Sequence, residues 1–247
     1  MPIVVQQNGV VSGSCLEIVQ DVCQRVNLPS PTTAAQSSDP AIQQIVALAL
    51  KEAEWQLGQY DPQACMLEGT FTTVAAETQV ASIPTTFPGL KSIVNDTMWN
   101  RDLRRPVFGP MTAQRWEQLK AMVMQGPWNQ FQIRANQILF IPVPTANQNI
   151  WFQYKSINWC QSAAGTPQSR FLADTDVLLL DEFVFKLGVE WRWKKAKGLD
   201  YAQDFADYED AFAIVKARDG TKDVINMGDA KYDIYPGILV PSGSWSR

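Results

Sequence analysis

The spacing of apolar residues predicts a helix close to the start of the chain. Ser14-Cys15-Leu16-Glu17 has the form of a capping box, in which a serine hydroxyl and a glutamate carboxylate accept backbone N–H groups. Apolar side chains then recur every three or four positions, at Leu16, Val19, Cys23 and Val26. We expect this helix to end at Asn27-Leu28-Pro29.

A second helix is predicted to begin at Asp39-Pro40, because Asp is a favoured N-cap and Pro fits the first helical position. The residues of one buried face follow, at Ile42, Ile45, Val46, Ala49 and Ala53. Gly58 and then Asp61-Pro62 predict its end, and the polar stretch 30–38 predicts a loop between the two helices.

Between about residues 65 and 159 the apolar period shortens to that of strands. Residues 71–76 and 79–83 predict two short strands around Glu77-Thr78, and Phe131, Ile133 and Ala135 alternate with polar residues as in a half-buried strand. We expect residues 138–141 and 150–159 to be the partners of that strand. One helix, capped by Thr112, interrupts this region with the apolar stripe Trp116, Leu119 and Val123.

Helical signals return after residues 161–169, which we interpret as a flexible connector. Asp181-Glu182 places negative charge at a helix start and Lys194, Lys195 and Lys197 place positive charge at its end, before Gly198. A last helix is predicted from about Asp200. Its repeating aromatic and aliphatic residues predict a buried seam: Tyr201, Phe205, Tyr208, Phe212 and Val215.

The stretch from residue 221 onward has no helical period, yet it is rich in aromatic and apolar residues. Fraying is the simplest interpretation of a terminus, but disordered tails are usually poor in aromatics. We therefore expect an extended arm that docks on a partner or on its own domain. The residues expected to make that contact are Tyr232, Tyr235, Pro236, Ile238, Leu239 and Trp245.

Together these patterns predict an α+β fold in four segments. Segments 1–60 and 171–220 supply a helical bundle, 61–170 form a β-rich module inserted into it, and 221–247 form the arm.

Composition narrows the possible functions. The net charge is −4, so the chain lacks the basic footprint of a sequence-specific nucleic-acid binder. No apolar run approaches the roughly 18 residues of a membrane span, and no signal peptide is visible at Met1-Pro2-Ile3-Val4. Only 19% of residues are charged and there are nine Trp, which suits a protein-contact surface or a Trp-rich core.

Candidate chemistry is sparse. The chain has no His, which excludes histidine bases, and its four cysteines show no CxxC spacing, which favours free buried thiols. No metal or cofactor site is predicted. Two carboxylate pairs are interpreted as structural. Glu52 and Glu54 cannot converge on one helix face, and Asp181 and Glu182 are explained by the favourable negative charge at a helix start. The cluster Arg192, Lys194, Lys195 and Lys197 suits either phosphate contact or a charge match with the acidic helix that follows.

Five segments carry a further signal: WRWKKAKGLDYA at 191–202, NDTMWNR at 95–101, FGP at 108–110, and the β stretches FQIR at 131–134 and FQYKS at 152–156. Together they resemble the head-to-tail adaptor (connector) proteins of short-tailed bacteriophages. The resemblance covers about residues 14–220.

The resemblance implies a virion protein of the neck or tail, made in the bacterial host cytoplasm and not an enzyme. It implies a ring of twelve copies below the portal protein, joined to the next tail protein (the nozzle or tail tube), with double-stranded DNA passing through. The acidic balance suits a channel in which DNA slides without sequence-specific binding. We expect the arm to bind the portal, and Arg134, Arg192, Lys194, Lys195 and Lys197 to contact another subunit or the tail. The competing hypotheses are a carboxylate-dependent peptidoglycan hydrolase and a DNA-packaging factor.

Overall fold

The first two helices have the capping that their sequence predicts, in a computed structural model that describes residues 13–122, 126 and 128–219. The Ser14 hydroxyl accepts from the backbone N–H of Glu17, and the Glu17 carboxylate accepts from that of Ser14. The Asp39 side chain accepts from the N–H of Ala41, with Pro40 in the first turn. The fold is α+β, as expected.

The elements of the described residues follow one another in this order. The chain begins with α1 (Cys15–Arg25), α2 (Pro40–Gln59), β1 (Met66–Thr72), β2 (Thr78–Val80), α3 (Ile83–Thr86), β3 (Leu90–Ile93), β4 (Trp99–Asn100) and β5 (Arg105–Pro106). It continues with α4 (Ala113–Ala121), β6 (Gln130–Arg134), β7 (Gln137–Ile141), β8 (Asn149–Ser156), β9 (Cys160–Gln161), β10 (Pro167–Gln168), β11 (Val177–Leu178), α5 (Glu182–Ala196) and α6 (Ala202–Asp219).

The described chain divides into two compact units. The helical unit comprises residues 13–67, 89–92 and 154–219, and the β-rich unit comprises 68–88, 93–122, 126 and 128–153. In the helical unit α2 and α5 pack together, α1 packs on both, and α6 packs along α5. A three-stranded sheet of order β10-β9-β11 completes this unit, and its core includes Ile45, Trp159 and Phe185.

Two further antiparallel sheets contain the remaining strands. One has the order β2-β7-β6, in which β6 and β7 form a hairpin with Phe131 opposite Phe140. The other has the order β1-β8-β4-β5, with β3 also paired to β8. Within the β-rich unit the aromatic rings of Phe71, Phe87 and Phe152 pack edge to face in the core.

The alternation predicted for residues 130–135 is wrong. Phe131 and Gln132 are both buried, whereas Ile133 is 38% exposed. Both faces of this strand are covered near Phe131. Phe71 packs on Phe140, the cross-strand neighbour of Phe131, and the cluster around Trp116 occupies the face that Gln132 shares with Leu139. The segment 108–111 hydrogen-bonds along the edge of the strand. Ile133 lies next to the hairpin turn, where that cover ends.

Strand pairing in the β-rich region also differs from the prediction. Residues 138–141 do pair with β6, but β8 lies in the other sheet. The two strands expected at 71–76 and 79–83 have other bounds, because β1 ends at Thr72 and pairs with β8, while β2 covers Thr78–Val80 and pairs with β7. Residues 83–86 form the short helix α3. These strands are too short for alternation to reveal which ones pair.

The stretch 161–169 is not an open connector. It contains β10, which pairs with β9, and the Trp159 indole N–H donates to the Ser169 carbonyl at 2.6 Å. The apolar seam of α6 is also less buried than expected. Tyr208 is buried, while Tyr201, Phe205, Phe212 and Val215 are half-buried around it. Helix α6 packs at the edge of the bundle, so its apolar face is only partly covered.

Candidate interaction surfaces

A buried charge network ties together three helices of the helical unit. The Glu52 side chain on α2 is 0% exposed, and its Oε2 lies 2.6 Å from Nε of Arg192 on α5. Its other oxygen, Oε1, accepts hydrogen bonds from the Tyr208 hydroxyl at 2.6 Å and the Gln56 amide at 2.7 Å. Every partner lies within the unit. Because both oxygens of the buried carboxylate accept from donors within the unit, Glu52 fixes how α2, α5 and α6 pack against one another.

Gly188 provides the space for this network. A methyl group at Gly188 would lie 2.3 Å from both Cδ and Oε1 of Glu52. The pKa of the Tyr208 hydroxyl is raised by its burial and by the adjacent Glu52 charge. Glu54, the other member of the first carboxylate pair, is exposed. The structural interpretation of Glu52 therefore has a specific basis, because its carboxylate is occupied on both oxygens.

Sequence analysis missed this network, although two signals were present. Glu52 interrupts the apolar face of α2 one residue before the buried Ala53. Gly188 lies within α5, and a glycine inside a helix often marks a close packing contact. Neither signal identifies the partner, because Glu52 and Arg192 are 140 residues apart.

The second carboxylate pair serves the start of α5. The Asp181 side chain caps the helix by accepting from the N–H of Val184 at 3.1 Å. Glu182 forms an ion pair with Lys186 at 2.6 Å and accepts a hydrogen bond from the N–H of Gly13. Both groups are therefore engaged in local structure.

The basic end of α5 makes its contacts within the helical unit. Lys194 Nζ lies 3.0 Å from Glu190 and 2.7 Å from Asp204, and Lys197 donates to the Gln44 amide oxygen at 2.8 Å. Partial burial favours the neutral form of Lys194, but its hydrogen bonds to Asp204 and Glu190 outweigh that effect and raise its pKa. Lys195 lies over the rings of Trp191 and Tyr201. A role for these residues and for Arg192 in contacting another subunit or the tail stays a prediction.

An aromatic groove lies on the open face of the sheet in the β-rich unit. Trp99 and Trp151 are directly paired across β4 and β8. The Arg101 guanidinium stacks 3.9 Å from the Trp151 ring and forms an ion pair with Glu68. These residues line a depression of about 590 Å³, which also contains Arg104. The groove presents aromatic and cationic groups to solvent.

Arg134 is exposed at the end of β6, beside the hairpin turn. No ion pair or hydrogen bond of its guanidinium occurs among the residues that the structure describes. The residues expected to form the portal-binding arm, from Tyr232 to Trp245, lie outside the described residues.

The four cysteines are free and buried. Burial, with nearby carboxylates, raises the pKa of the Cys15 and Cys65 thiols to about 12, so both are unreactive thiols near neutral pH. Within residues 13–122, 126 and 128–219, no cluster of potential metal ligands occurs. In the same residues, no helix combines the length and the apolar character needed to cross a bilayer.

Comparison with known proteins assigns the chain to a family. The family described as SU10 adaptor protein matches residues 14–229, which include both units and most of the chain. No curated protein matches this chain. The expected resemblance to phage adaptors is thus confirmed at the level of the adaptor family, while restriction to short-tailed phages stays a prediction. The chain belongs to the SU10 adaptor protein family of bacteriophage structural proteins.

Proposed function

We propose that this protein is the head-to-tail adaptor of a bacteriophage virion, forming a ring of twelve copies between the portal and the next tail protein. The double-stranded genome passes through that ring. The observation that carries the proposal is the adaptor-family match over residues 14–229, which extends through both described units.

Surface chemistry supports a role in protein assembly. Phe183, Leu199 and Ile214 are large apolar residues of the helical unit, and each is more than half exposed. Exposed apolar groups of this size favour contact with other protein surfaces. Acidic residues outnumber basic ones in the chain as a whole, which disfavours tight binding of DNA by the channel.

Attachment to the portal is assigned to residues 231–247. Tyr and Trp are frequent anchors of protein interfaces, and this segment contains Tyr232, Tyr235 and Trp245. Several arms on one ring would bind together, so modest individual affinities would combine into durable attachment. The helical segments 1–60 and 171–220 form the body that carries this arm.

The test is electron microscopy of the full chain mixed with its portal. We expect the isolated chain to be largely monomeric and to assemble as a ring on the portal. Deletion of residues 231–247 should leave a folded protein that no longer binds. Retention on DNA in a salt-sensitive manner, or clearing of peptidoglycan, together with no ring on the portal, would contradict the proposal.

The contact with the tail is tested through Arg134. Arg134→Glu should leave rings on the portal intact and reduce the number of particles that complete a tail. The matched control is Arg115→Glu, which reverses an exposed charge on α4. Normal tails in the Arg134→Glu phage would show that Arg134 does not contribute to the contact with the tail.

A further inference from the structure

The helical unit has a solvent-exposed groove along α2. Two depressions, of about 390 and 220 Å³, share Leu50, Trp159 and Arg170 and so form one continuous groove. It follows α2 from Gln43 to Leu57, a length of about 21 Å. Its apolar lining is bordered by exposed Ile157, and its charged residues are Arg170, Lys91 and Glu54.

The groove and α6 lie on different sides of α2. Glu52, Trp55 and Gln56 face α6 through the buried network and the ring contacts of Trp55 with Tyr208 and Phe212. Leu50 lies two residues before Glu52, which places it about 200° away around the helix axis. The unit therefore presents a groove on one side of α2 and the outer face of α6 on another.

The outer face of α6 complements the groove. It carries Asp207 and Asp210 on its exposed side, together with Ile214, which is 58% exposed, and with Arg218 at its C-terminal end. Its other exposed residues include Ala206, Ala213 and Ala217, whose small side chains permit close helix packing. Helix α6 has 18 residues and is about 27 Å long, which is enough to fill the groove.

The groove and the outer face of α6 carry charged groups that lack ion-pair partners within the described chain. Arg170 has no carboxylate partner among the described residues, and the ammonium group of Lys91 contacts only the Leu57 carbonyl there. On α6, Asp210 has no cationic partner within the same residues, and Asp207 accepts only from the Gln203 amide. The groove thus carries two cations, Arg170 and Lys91, against one carboxylate, Glu54, while the outer face of α6 carries the carboxylates of Asp207 and Asp210. The two surfaces are therefore complementary in charge, and each also has apolar groups.

We propose that α6 of one copy docks in the α2 groove of the next copy and forms the contact between neighbouring subunits. A closed ring requires two different surfaces on each subunit, since each copy contacts its neighbours head to tail. The groove and the outer face of α6 are such a pair of surfaces. This inference rests on the proposed ring and assigns the residues that close it.

The test is a charge exchange measured by ring formation on the portal. Arg170→Glu and Asp210→Arg should each reduce the yield of rings about tenfold, because like charges would then face each other. The double variant Arg170→Glu/Asp210→Arg should recover most of the yield. The controls Arg115→Glu and Glu117→Arg make the same charge changes on exposed α4 residues of the β-rich unit and should assemble normally.

A second measurement uses the unmodified protein. Rings assembled from light and isotopically heavy copies are treated with a carbodiimide, which joins adjacent carboxylates and lysines directly. We expect mixed-label cross-links between Asp207 or Asp210 and Lys91.

Each outcome decides the proposal. Wild-type yields for both single variants, or no recovery in the double variant, would overturn the α6–groove contact while leaving the proposed function intact. Cross-links from Lys91 to the portal instead of a second copy would overturn it as well. Absence of any wild-type ring on the portal would overturn the proposed function and this contact together.

Discussion

The two units organise their interiors in different ways. The helical unit buries a carboxylate, Glu52, and surrounds it with the matched donors of Arg192, Tyr208 and Gln56. Aromatic rings pack in both units, as between Trp159 and Phe171 in the helical unit and between Phe87 and Phe152, whose centroids lie 5.1 Å apart, in the β-rich unit. Among the described residues, however, the buried polar side chains of the β-rich unit are uncharged. Its described ion pairs, Arg101–Glu68 and Lys120–Glu77, lie at the surface.

This difference predicts different tolerance to change. Aromatic packing depends on shape, and an extra methyl group in such a core typically costs about 1–3 kcal/mol, because side chains leave their preferred rotamers. A buried charge depends on its partners, and the loss of one partner leaves an unpaired charge in a region of low dielectric. We therefore expect the helical unit to respond more sharply than the β-rich unit to changes of similar size.

The largest effect is expected for Gly188→Ala. The added methyl group would collide with Glu52 and push its carboxylate away from Arg192 and Tyr208. Disrupting a buried ion pair of this kind costs about 3–5 kcal/mol in the free energy of unfolding. Chemical denaturation followed by circular dichroism measures it.

The matched control is Gly58→Ala on α2, where a methyl group meets no atom within 4 Å. Alanine there should stabilise the helix by about 0.5–1 kcal/mol. Equal denaturation midpoints for the Gly188→Ala and wild-type proteins would contradict a tightly held network.

A smaller loss is expected for Tyr208→Phe. This change keeps the buried ring but removes the hydroxyl that donates to Glu52. A hydrogen bond to a charged group contributes about 1.5–3 kcal/mol, so the free energy of unfolding should fall by about that amount. Tyr201→Phe, at a half-buried position of the same cluster, should change it by less than about 0.5 kcal/mol. A similar loss in both variants would show that the network adds nothing specific.

In the β-rich unit, Gly69→Ala is the counterpart of Gly188→Ala. The new methyl group would lie 2.7 Å from Cζ of Phe152. Overpacking an aromatic core shifts a ring without separating an ion pair, so we expect a cost of about 1–3 kcal/mol. Hydrogen exchange of the β8 amides measures the opening of this unit. An equal loss of unfolding free energy in Gly69→Ala and Gly188→Ala would contradict the expected difference in tolerance between the two units.

The same contrast explains what could be predicted from sequence. The helices of the helical unit have end signals that act locally, such as the Ser14 capping box and the Asp39 cap, and these predictions are confirmed. The Gly188–Glu52 contact depends on residues distant in the chain, so no local pattern reveals it. The acidic residues that follow the basic end of α5 were predicted as a charge match, and the Lys194–Asp204 ion pair realises it within the chain.

Strand pairing in the β-rich unit was beyond local patterns. Strands such as β4, with two residues, have no period to detect. Gln132 is buried because a helix and a neighbouring segment cover its strand, a tertiary effect that outweighs polarity. The Trp99–Trp151 groove likewise depends on pairing between β4 and β8, although both residues were visible as aromatic.

The smallest expected effect concerns the β6–β7 hairpin and has the opposite sign. Its two turn residues, Ala135 and Asn136, have φ of 50° and 58°. A two-residue turn with both φ values positive suits Asn and Gly, whereas an alanine side chain clashes with its own backbone. Ala135→Gly relieves that clash but gives the unfolded chain more freedom. The balance should stabilise the protein by about 0.5 kcal/mol, since the clash costs about 1–2 kcal/mol and the added freedom about 0.4–1.

Thermal denaturation of Ala135→Gly measures the gain, with Ala146→Gly as the control at an exposed position without positive φ. The control should lose about 0.4–1 kcal/mol through chain freedom alone. Equal losses in the two variants would show that the turn holds Ala135 without strain.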